Sequence, residues 1–173
     1  MEATQELDAR IRRRRAELEA AYVSDGVDGR DLLAGQHRLA HAYRAARRFD
    51  EAIRWFTEAV KGSVDTFGEN HAETLRYRSS LANCHYAAGH TDLAIGMFRE
   101  LYEARLAVLG EGHPDTMRSR GSLANALESA GRYREAEVLH RRNVGDREDT
   151  LGPEHPSTEA SRRNLGRAAA RQN

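Results

Sequence analysis

The sequence predicts an all-α fold built from stacked pairs of antiparallel helices. The first observation is an internal repeat of 42 residues, because the segment that begins at Gly68 is followed in register by segments that begin at Gly110 and Gly152. The second is a composition with 6% aromatic residues and 3 prolines, which favours helices over sheets. A fixed period of this length is typical of proteins whose units bury their apolar faces only by stacking on neighbours. We therefore expect function on a surface that several units share.

The repeat register divides the chain into a half unit, three helix hairpins and a closing helix. The predicted elements are an N-terminal helix (4–23), a degenerate repeat (26–67), two clear repeats (68–109 and 110–151) and a capping helix (152–173), all in one repeat domain over 1–173. The capping helix is rich in Arg and Ala, as expected where an array ends in water.

Small and large side chains alternate where the helices of each unit are expected to pack. The small residues are Ala40, Ala82, Ala124 and Gly166 in first helices and Ala52, Ala94 and Ala136 in second helices. The large residues are Leu39, Leu81 and Leu123, and then Phe56, Phe98 and His140. This pattern predicts closely packed helix pairs.

Glycines mark the expected ends of helices. Gly89 and Gly131 predict turns with positive φ inside two hairpins, and Arg47 takes this position in the degenerate repeat. Between hairpins, the sequences LGEGHPDT and LGPEHPST combine a glycine that can stop a helix with a proline, Pro114 or Pro156, that suits the first turn of the next.

Composition also limits the function classes. Lys and Arg number 27 and so do Asp and Glu, so the chain as a whole is not steered toward nucleic acid or an anionic membrane. The single cysteine, Cys84, excludes an intramolecular disulfide, and the start of the chain lacks the apolar core of a signal peptide. The longest stretch without a charged residue, 79–91, is too short to span a bilayer. We expect a cytoplasmic protein that does not enter a membrane.

The 42-residue unit resembles the tetratricopeptide repeat (TPR). Small residues at the eighth and twentieth places of each hairpin, an aromatic near the seventeenth and the LGxxHPxT loop carry the resemblance, which covers residues 26–170. The unit is similar to the longer form found in kinesin light chains and many bacterial proteins, and we expect a bacterial origin. Every basic residue except Lys61 is Arg, which suggests coding in a high-GC genome. The resemblance implies a right-handed α-solenoid. Its concave groove, lined by the first helices, would hold an extended or helical segment of a partner protein.

The groove positions of the family can be transferred to this chain, and their spacing of three or four residues places each set on one helix face. The predicted peptide-binding residues are Arg38, His41, Arg44, Arg76, Ser79, Asn83, Tyr86, Arg118, Ser122, Asn125, Arg163 and Arg167. An Asn amide can bind a peptide backbone, and Arg can bind carboxylates through two parallel bonds. The expected ligand is therefore an acidic or extended protein segment.

Other functions stay open as alternatives. The arginines could merely keep a solvated face soluble. The chain could be the sensor or autoinhibitory tail of a larger bacterial regulator, such as an NTPase or a transcription factor, or it could associate with itself through the open ends of the solenoid. We expect no enzymatic activity and no cofactor, and the only lysine lies in VKGS, which is not a phosphate-binding loop.

Three further groups of residues suggest chemistry that we do not expect here. His71, His113 and His155 lie too far apart to share a metal ion and are interpreted as loop residues that bond to a neighbouring turn. Cys84 and His85 point in different directions on one helix and are not a catalytic pair. The run Arg12–Arg15 winds around a helix and is expected to form the ion pairs Asp8–Arg12, Arg13–Glu17 and Arg15–Glu19 rather than a nucleic-acid site.

Overall fold

A computed structural model describes residues 2–24 and 26–171, and this part of the chain consists of eight α-helices without a β-strand. In order these are α1 (Glu2–Val23), α2 (Gly29–Ala45), α3 (Phe49–Phe67), α4 (Ala72–Ala87), α5 (Thr91–Leu109), α6 (Pro114–Ser129), α7 (Tyr133–Leu151) and α8 (Pro156–Ala170). The predicted fold class is confirmed. Of the described helices, none combines the length and the apolar character needed to cross a membrane.

The helices group into two compact units. Residues 1–89 form the N-terminal unit, with α1 to α4, and residues 90–173 form the C-terminal unit, with α5 to α8. Within each unit, helices that are consecutive in the chain pack on each other. The single repeat domain over 1–173 stays a prediction.

A histidine side chain caps the start of three helices. Nδ1 of His71, His113 and His155 accepts a hydrogen bond from the backbone N–H two residues later, at 3.2, 3.1 and 3.1 Å. Each bond satisfies one of the donors that the first turn of a helix leaves without a partner. The expectation that these loop histidines hydrogen-bond to a neighbouring turn is confirmed, and that turn is the first turn of the helix that follows each of them.

The glycines that open each repeat end the preceding helix in a conformation that other residues avoid. Gly68, Gly110 and Gly152 have φ of 90°, 81° and 90° with ψ of 163°, 171° and 159°. This region of backbone space is essentially restricted to glycine. The register of glycines in the sequence therefore reflects a backbone requirement at the helix ends.

A buried threonine joins each helix end to the start of the next helix. Oγ1 of Thr74 donates to the carbonyl oxygens of Gly68 and Ser63 at 2.8 and 3.1 Å, and Oγ1 of Thr158 lies 2.9 Å from the carbonyl oxygen of Gly152. Both threonines are fully buried. The last residue of the LGxxHPxT motif thus fixes the angle at which one helix leads into the next.

The turns inside the hairpins use the left-handed conformation. Gly89 and Gly131 have φ of 86° and 74°, as predicted. Arg47, at the equivalent position of the first hairpin, has φ of 59° and is the one described non-glycine residue with positive φ. The turn geometry is therefore retained where the glycine is absent.

Helix packing in the N-terminal unit follows the predicted alternation of small and large residues. Leu39, Ala52 and Phe56 are completely buried. The helices approach so closely that a Cβ added to Gly62 on α3 would lie 2.6 Å from Cδ2 of Leu33 on α2. The predicted interdigitation is confirmed in this unit.

The C-terminal unit buries a charged network as well as an apolar core. Arg120 on α6 is fully buried, and its Nε donates to Oδ1 of Asn143 on α7 at 2.7 Å. The same guanidinium group pairs with Asp146 on α7 and, at 3.2 Å, with Glu111 in the preceding loop. A buried charge is tolerated only when it is paired and hydrogen-bonded in this way. Arg120 therefore connects α6 to α7 and to the loop.

A second arginine contact recurs in the C-terminal unit. Nη1 of Arg105 on α5 donates to Oγ of Ser119 on α6 at 2.7 Å. One repeat later, Nη1 of Arg147 on α7 donates to Oγ of Ser161 on α8 at 2.5 Å. The equivalent positions in the N-terminal unit hold Ser63 and Tyr77, which are also buried. In the C-terminal unit the long side chain of this pair, Arg105, lies on the second helix of a hairpin. In the N-terminal unit the long side chain, Tyr77, lies on the first helix of the next hairpin.

One predicted packing position differs in the structure. Gly166 on α8 is exposed, and an added Cβ would meet nothing within 4 Å. Its counterpart Ala124 is completely buried. The prediction of a close helix contact at Gly166 was wrong, because α8 is the last helix and the described chain places no helix against this side.

Candidate functional site

Seven of the predicted binding residues lie on one partly exposed surface of the N-terminal unit. We call this surface the N-terminal face, and its members are Arg38, His41 and Arg44 on α2 and Arg76, Ser79, Asn83 and Tyr86 on α4. None of them is buried, whereas the neighbouring positions Leu39, Ala40, Leu81 and Ala82 form the core. The helical spacing thus separates a solvent-facing set from a packed set.

A ring of hydrogen bonds joins α2 and α4 beneath this face. Arg76 Nη1 lies 3.4 Å from His37 Nδ1, His37 Nε2 lies 2.9 Å from Ser80 Oγ, and Ser80 Oγ donates to the Arg76 carbonyl oxygen at 3.3 Å. Because Arg can only donate, His37 Nδ1 accepts and the proton of His37 lies on Nε2. The ring fixes the position of Arg76 relative to α2.

His41 lies beside this ring of hydrogen bonds. Its Nε2 is 3.3 Å from Nε2 of His37, whose single proton is donated to Ser80 Oγ.

Cationic groups converge on His37 and His41. Burial, together with the smaller effects of His41, Arg76, Arg44 and Arg38, lowers the pKa of His37 to about 3. Burial also lowers the pKa of His41, with Arg44 and Arg76 as additional causes. Both imidazoles are therefore neutral near pH 7 and act as hydrogen-bonding groups among arginines.

The arginines of the N-terminal face differ in their internal partners. Arg76 pairs with Glu73 at 2.7 Å, one helical turn earlier on α4. Within the described chain, no carboxylate lies within 4.0 Å of Arg38 or Arg44. These two guanidinium groups are thus the ones on this face that form no ion pair with a described Asp or Glu.

Among the described residues, the side-chain nitrogen of Asn83 is already hydrogen-bonded within α4, whereas its side-chain oxygen is not. Its Nδ2 donates to the Ser79 carbonyl oxygen at 2.7 Å and approaches Ser79 Oγ at 3.4 Å. These bonds orient the side chain along α4 and leave Oδ1 as the acceptor for a ligand. Asn83 can therefore accept a bond from a peptide N–H without rearrangement.

The remaining predicted residues lie in the C-terminal unit. The C-terminal face consists of Arg118, Ser122 and Asn125 on α6 and Arg163 and Arg167 on α8. Arg118 pairs with Asp115, and Arg163 lies 3.8 Å from Glu159. Each arginine of this face has an internal carboxylate.

Arg167 is an exposed residue that pairs with a buried carboxylate. Its Nε donates to Glu128 at 2.8 Å, and Glu128 also lies 2.7 Å from Nε2 of the buried His140. Burial raises the pKa of Glu128, but the bonds from Arg167 and His140 outweigh it, so the net pKa is lowered. Nη2 of Arg167 further lies 3.4 Å from Oδ1 of Asn125. The acceptor of Asn125 thus has an internal partner, unlike that of Asn83.

Comparison with protein families gives two matches to tetratricopeptide repeat models, over residues 31–107 and 116–157. The chain belongs to the tetratricopeptide repeat family. TPRs are generally protein–protein interaction modules and typically serve as non-catalytic scaffolds. No curated protein sequence matches the chain.

Solved TPR structures share the fold. BtubC (BKLC) from P. vanneervenii aligns with a TM-score of 0.78 at 21% identity, over 92% of this chain and 63% of that chain. Two crystal structures of a kinesin light chain-like protein with nearly identical TPR-like repeats from Podospora anserina align over 99% of this chain. For the first, the alignment covers 77% of the solved chain, with a TM-score of 0.78 and 27% identity. For the second, it covers 89% of the solved chain, with a TM-score of 0.75 and 25% identity. The predicted resemblance to the kinesin light chain type is confirmed.

The other chemistry-bearing residues of this TPR chain have structural roles. Cys84 is completely buried, and burial raises the pKa of its thiol. Among the described residues, no group of three His, Cys, Asp or Glu side chains could hold a metal ion. In α1, Arg13–Glu17 and Arg15–Glu19 pair as predicted at 3.0 and 2.8 Å. The predicted Asp8–Arg12 pair is wrong, because those side chains are not within pairing distance.

The sequence interpretation missed the internal partners of the TPR arginines. Glu73, Asp115 and Glu159 lie three or four residues before Arg76, Arg118 and Arg163, the spacing at which side chains meet on one helix. This signal was present in the sequence and would have identified these three arginines as paired within their own helices. The pairing of Arg167 with Glu128 joins two helices, and only the packed structure provides it.

Proposed function

We propose that this TPR chain is a protein-interaction module that binds an extended acidic peptide segment, with the N-terminal face as its main contact surface. The observation that carries the proposal is the pair of guanidinium groups on Arg38 and Arg44, which have no carboxylate within 4.0 Å in the described chain. An incoming Asp or Glu would form charge-assisted bonds there without first breaking an internal pair.

The remaining polar groups of the face suit a peptide backbone. Oδ1 of Asn83 can accept from a backbone N–H, and Arg76 is held by His37 and Glu73 at the edge of the same surface. The exposed ion pair between Arg76 and Glu73 contributes only about 0–1 kcal/mol, so a ligand carboxylate can compete for Arg76. The C-terminal face, with Arg118, Arg163 and Arg167 paired internally, is expected to add less.

Charge reversal on the two faces tests the proposal. We expect Arg38→Glu combined with Arg44→Glu to weaken binding of a short fluorescent Glu-rich peptide about tenfold or more. One charge-assisted bond contributes about 1.5–3 kcal/mol, and about 1.4 kcal/mol is tenfold. Fluorescence anisotropy at low and high salt measures the effect, and salt should weaken the wild-type complex.

The matched control makes the same change in charge on the C-terminal face. Arg118→Glu combined with Arg163→Glu should lower the affinity less than the change on the N-terminal face. Circular dichroism verifies that both variants keep the helix content of the wild type. Equal losses in the two double variants, or unchanged affinity in both, would contradict the proposal.

A further inference from the structure

A small cavity lies between α1 and α2 at the edge of the N-terminal face. It has a volume of about 250 Å³ and is lined by Arg10 and Arg14 on α1 and by Arg38, His41 and Ala42 on α2. All of its charged lining residues are basic. The volume is below the range of about 300–1,000 Å³ that is typical of pockets for drug-sized ligands, so the cavity suits a small group.

The arginines around this cavity are incompletely neutralised. Within the described chain, no carboxylate lies within 4.0 Å of Arg10 or Arg38. Arg14 pairs with Glu17 at 2.8 Å, but Glu17 is shared with Arg13 at 3.0 Å. Like charges that line one cavity repel each other, and an anion between them removes that repulsion.

The surroundings show how the cluster is stable without a ligand. Glu17 and Asp31 line a smaller adjoining cavity of about 20 Å³ together with Arg14 and Arg38. These carboxylates offset part of the positive charge of Arg14 and Arg38 from the adjoining cavity. In the 250 Å³ cavity itself, every charged lining residue is an arginine.

His41 adds a polar imidazole side chain to this wall. The cavity is therefore lined by three arginines and one histidine. A single carboxylate has two oxygens and is satisfied by one bidentate arginine, so it would leave most of these donors unused.

We propose that this α1–α2 cavity binds the phosphate of a phosphorylated side chain on the partner segment. A phosphate monoester carries about −1.5 to −2 charges at pH 7 and three strong acceptor oxygens, which matches three guanidinium groups better than a carboxylate does. Arginine clusters are a recurring means of recognising phosphorylated motifs. The inference rests on the proposed peptide function, because it adds a charge-selective subsite next to the N-terminal face.

Peptides that differ in one residue test the proposal. We use a short fluorescent Glu-containing peptide with a central phosphoserine, and versions with Ser or Glu in its place. Anisotropy should show the phosphopeptide binding about tenfold or more tightly than either version, as expected for one additional charge-assisted contact. Arg10→Gln combined with Arg14→Gln should abolish this difference and leave the affinity for the Ser version unchanged.

Arg12→Gln combined with Arg15→Gln is the matched control on the same helix, since it removes equal charge from residues that do not line the cavity. It should retain the preference for phosphoserine. Equal affinities of the three wild-type peptides would overturn the inference, and so would equal losses in the two double variants. Equally tight binding of a single-stranded oligonucleotide, which carries phosphodiesters, would also overturn it.

The two proposals can fail separately. If no Glu-containing peptide binds, the proposed peptide function fails, and titration with free O-phosphoserine then decides on the cavity. In NMR spectra, the arginine side-chain Nε–Hε signals should shift in the wild-type protein and should not shift when Arg10 and Arg14 are replaced. Absence of any shift in the wild type at a large molar excess of O-phosphoserine would refute the phosphate site alone.

Discussion

Arg47 holds a backbone conformation that costs an L-residue free energy. Its φ is 59°, and the equivalent positions of the other hairpins are Gly89 and Gly131. The left-handed conformation costs a non-glycine residue roughly 1–2 kcal/mol. We expect Arg47→Gly to raise the free energy of unfolding by up to about 1 kcal/mol, because glycine also loses more freedom on folding. Chemical denaturation followed by the fluorescence of Trp55, the single tryptophan, measures this change.

A second variant separates the backbone effect from the loss of the side chain. The Arg47 guanidinium lies 5.8 Å from the ring centroid of Phe49, and such an exposed contact contributes about 0.5–1 kcal/mol. Arg47→Ala removes this contact and keeps the strained φ, so it should be less stable than Arg47→Gly. If the alanine variant equals or exceeds the glycine variant in stability, the strain at this position is not significant.

At the scale of the element, the loop between consecutive repeats determines where each helix ends and where the next begins. Gly110 ends α5, His113 caps α6 through a 3.1 Å bond to the Asp115 N–H, and Thr116 is fully buried behind them. The three side-chain and backbone requirements fall within seven residues. This explains why Gly, His and Thr recur at the same three places in each copy of the loop.

The backbone requirement at Gly110 can be tested directly. With φ of 81° and ψ of 171°, Gly110→Ala should lower the free energy of unfolding by about 1–3 kcal/mol. Gly112→Ala in the same loop is the control. Its φ is not in the left-handed region, and its Cβ would meet Thr150 Cγ2 at an ordinary 3.8 Å. Thermal denaturation should separate the two variants, and similar melting temperatures would refute the requirement.

At the scale of the whole molecule, periodic features could be predicted from the sequence and pair contacts between helices could not. The helix hairpins and the turn at Gly89 depend on local spacing, which recurs every 42 residues and is visible without coordinates. The buried bond from Arg120 to Asn143 joins residues on different helices, and a sequence pattern does not reveal which polar groups meet. For the same reason, the sequence alone did not show that Arg10 on α1 and Arg38 on α2 line one cavity.

The chain as a whole is expected to lose stability in acid, beginning with its buried histidines. The unfolded chain takes up a proton on His37 near the ordinary pKa of about 6.5, whereas native His37 resists protonation until about pH 3 because of burial and nearby arginines. Since the unfolded state then binds more protons, stability falls as pH decreases through this window, by up to about 1.4 kcal/mol per pH unit for such a group. Burial lowers the pKa of His41 and His140 as well, so they act in the same direction.

Urea denaturation between pH 7.5 and pH 4.5 measures this dependence, with Trp55 reporting on α3 of the N-terminal unit. The free energy of unfolding should be highest near neutrality and should decline below pH 6.5, before the carboxylates titrate. Carboxylates such as Glu73, whose pKa is lowered by its bond to Arg76, contribute their loss only at lower pH. His37→Gln should flatten the decline between pH 6.5 and 4.5 even if it lowers stability throughout, because glutamine has no proton to take up. An unchanged slope in that variant would show that His37 is not a source of the acid sensitivity.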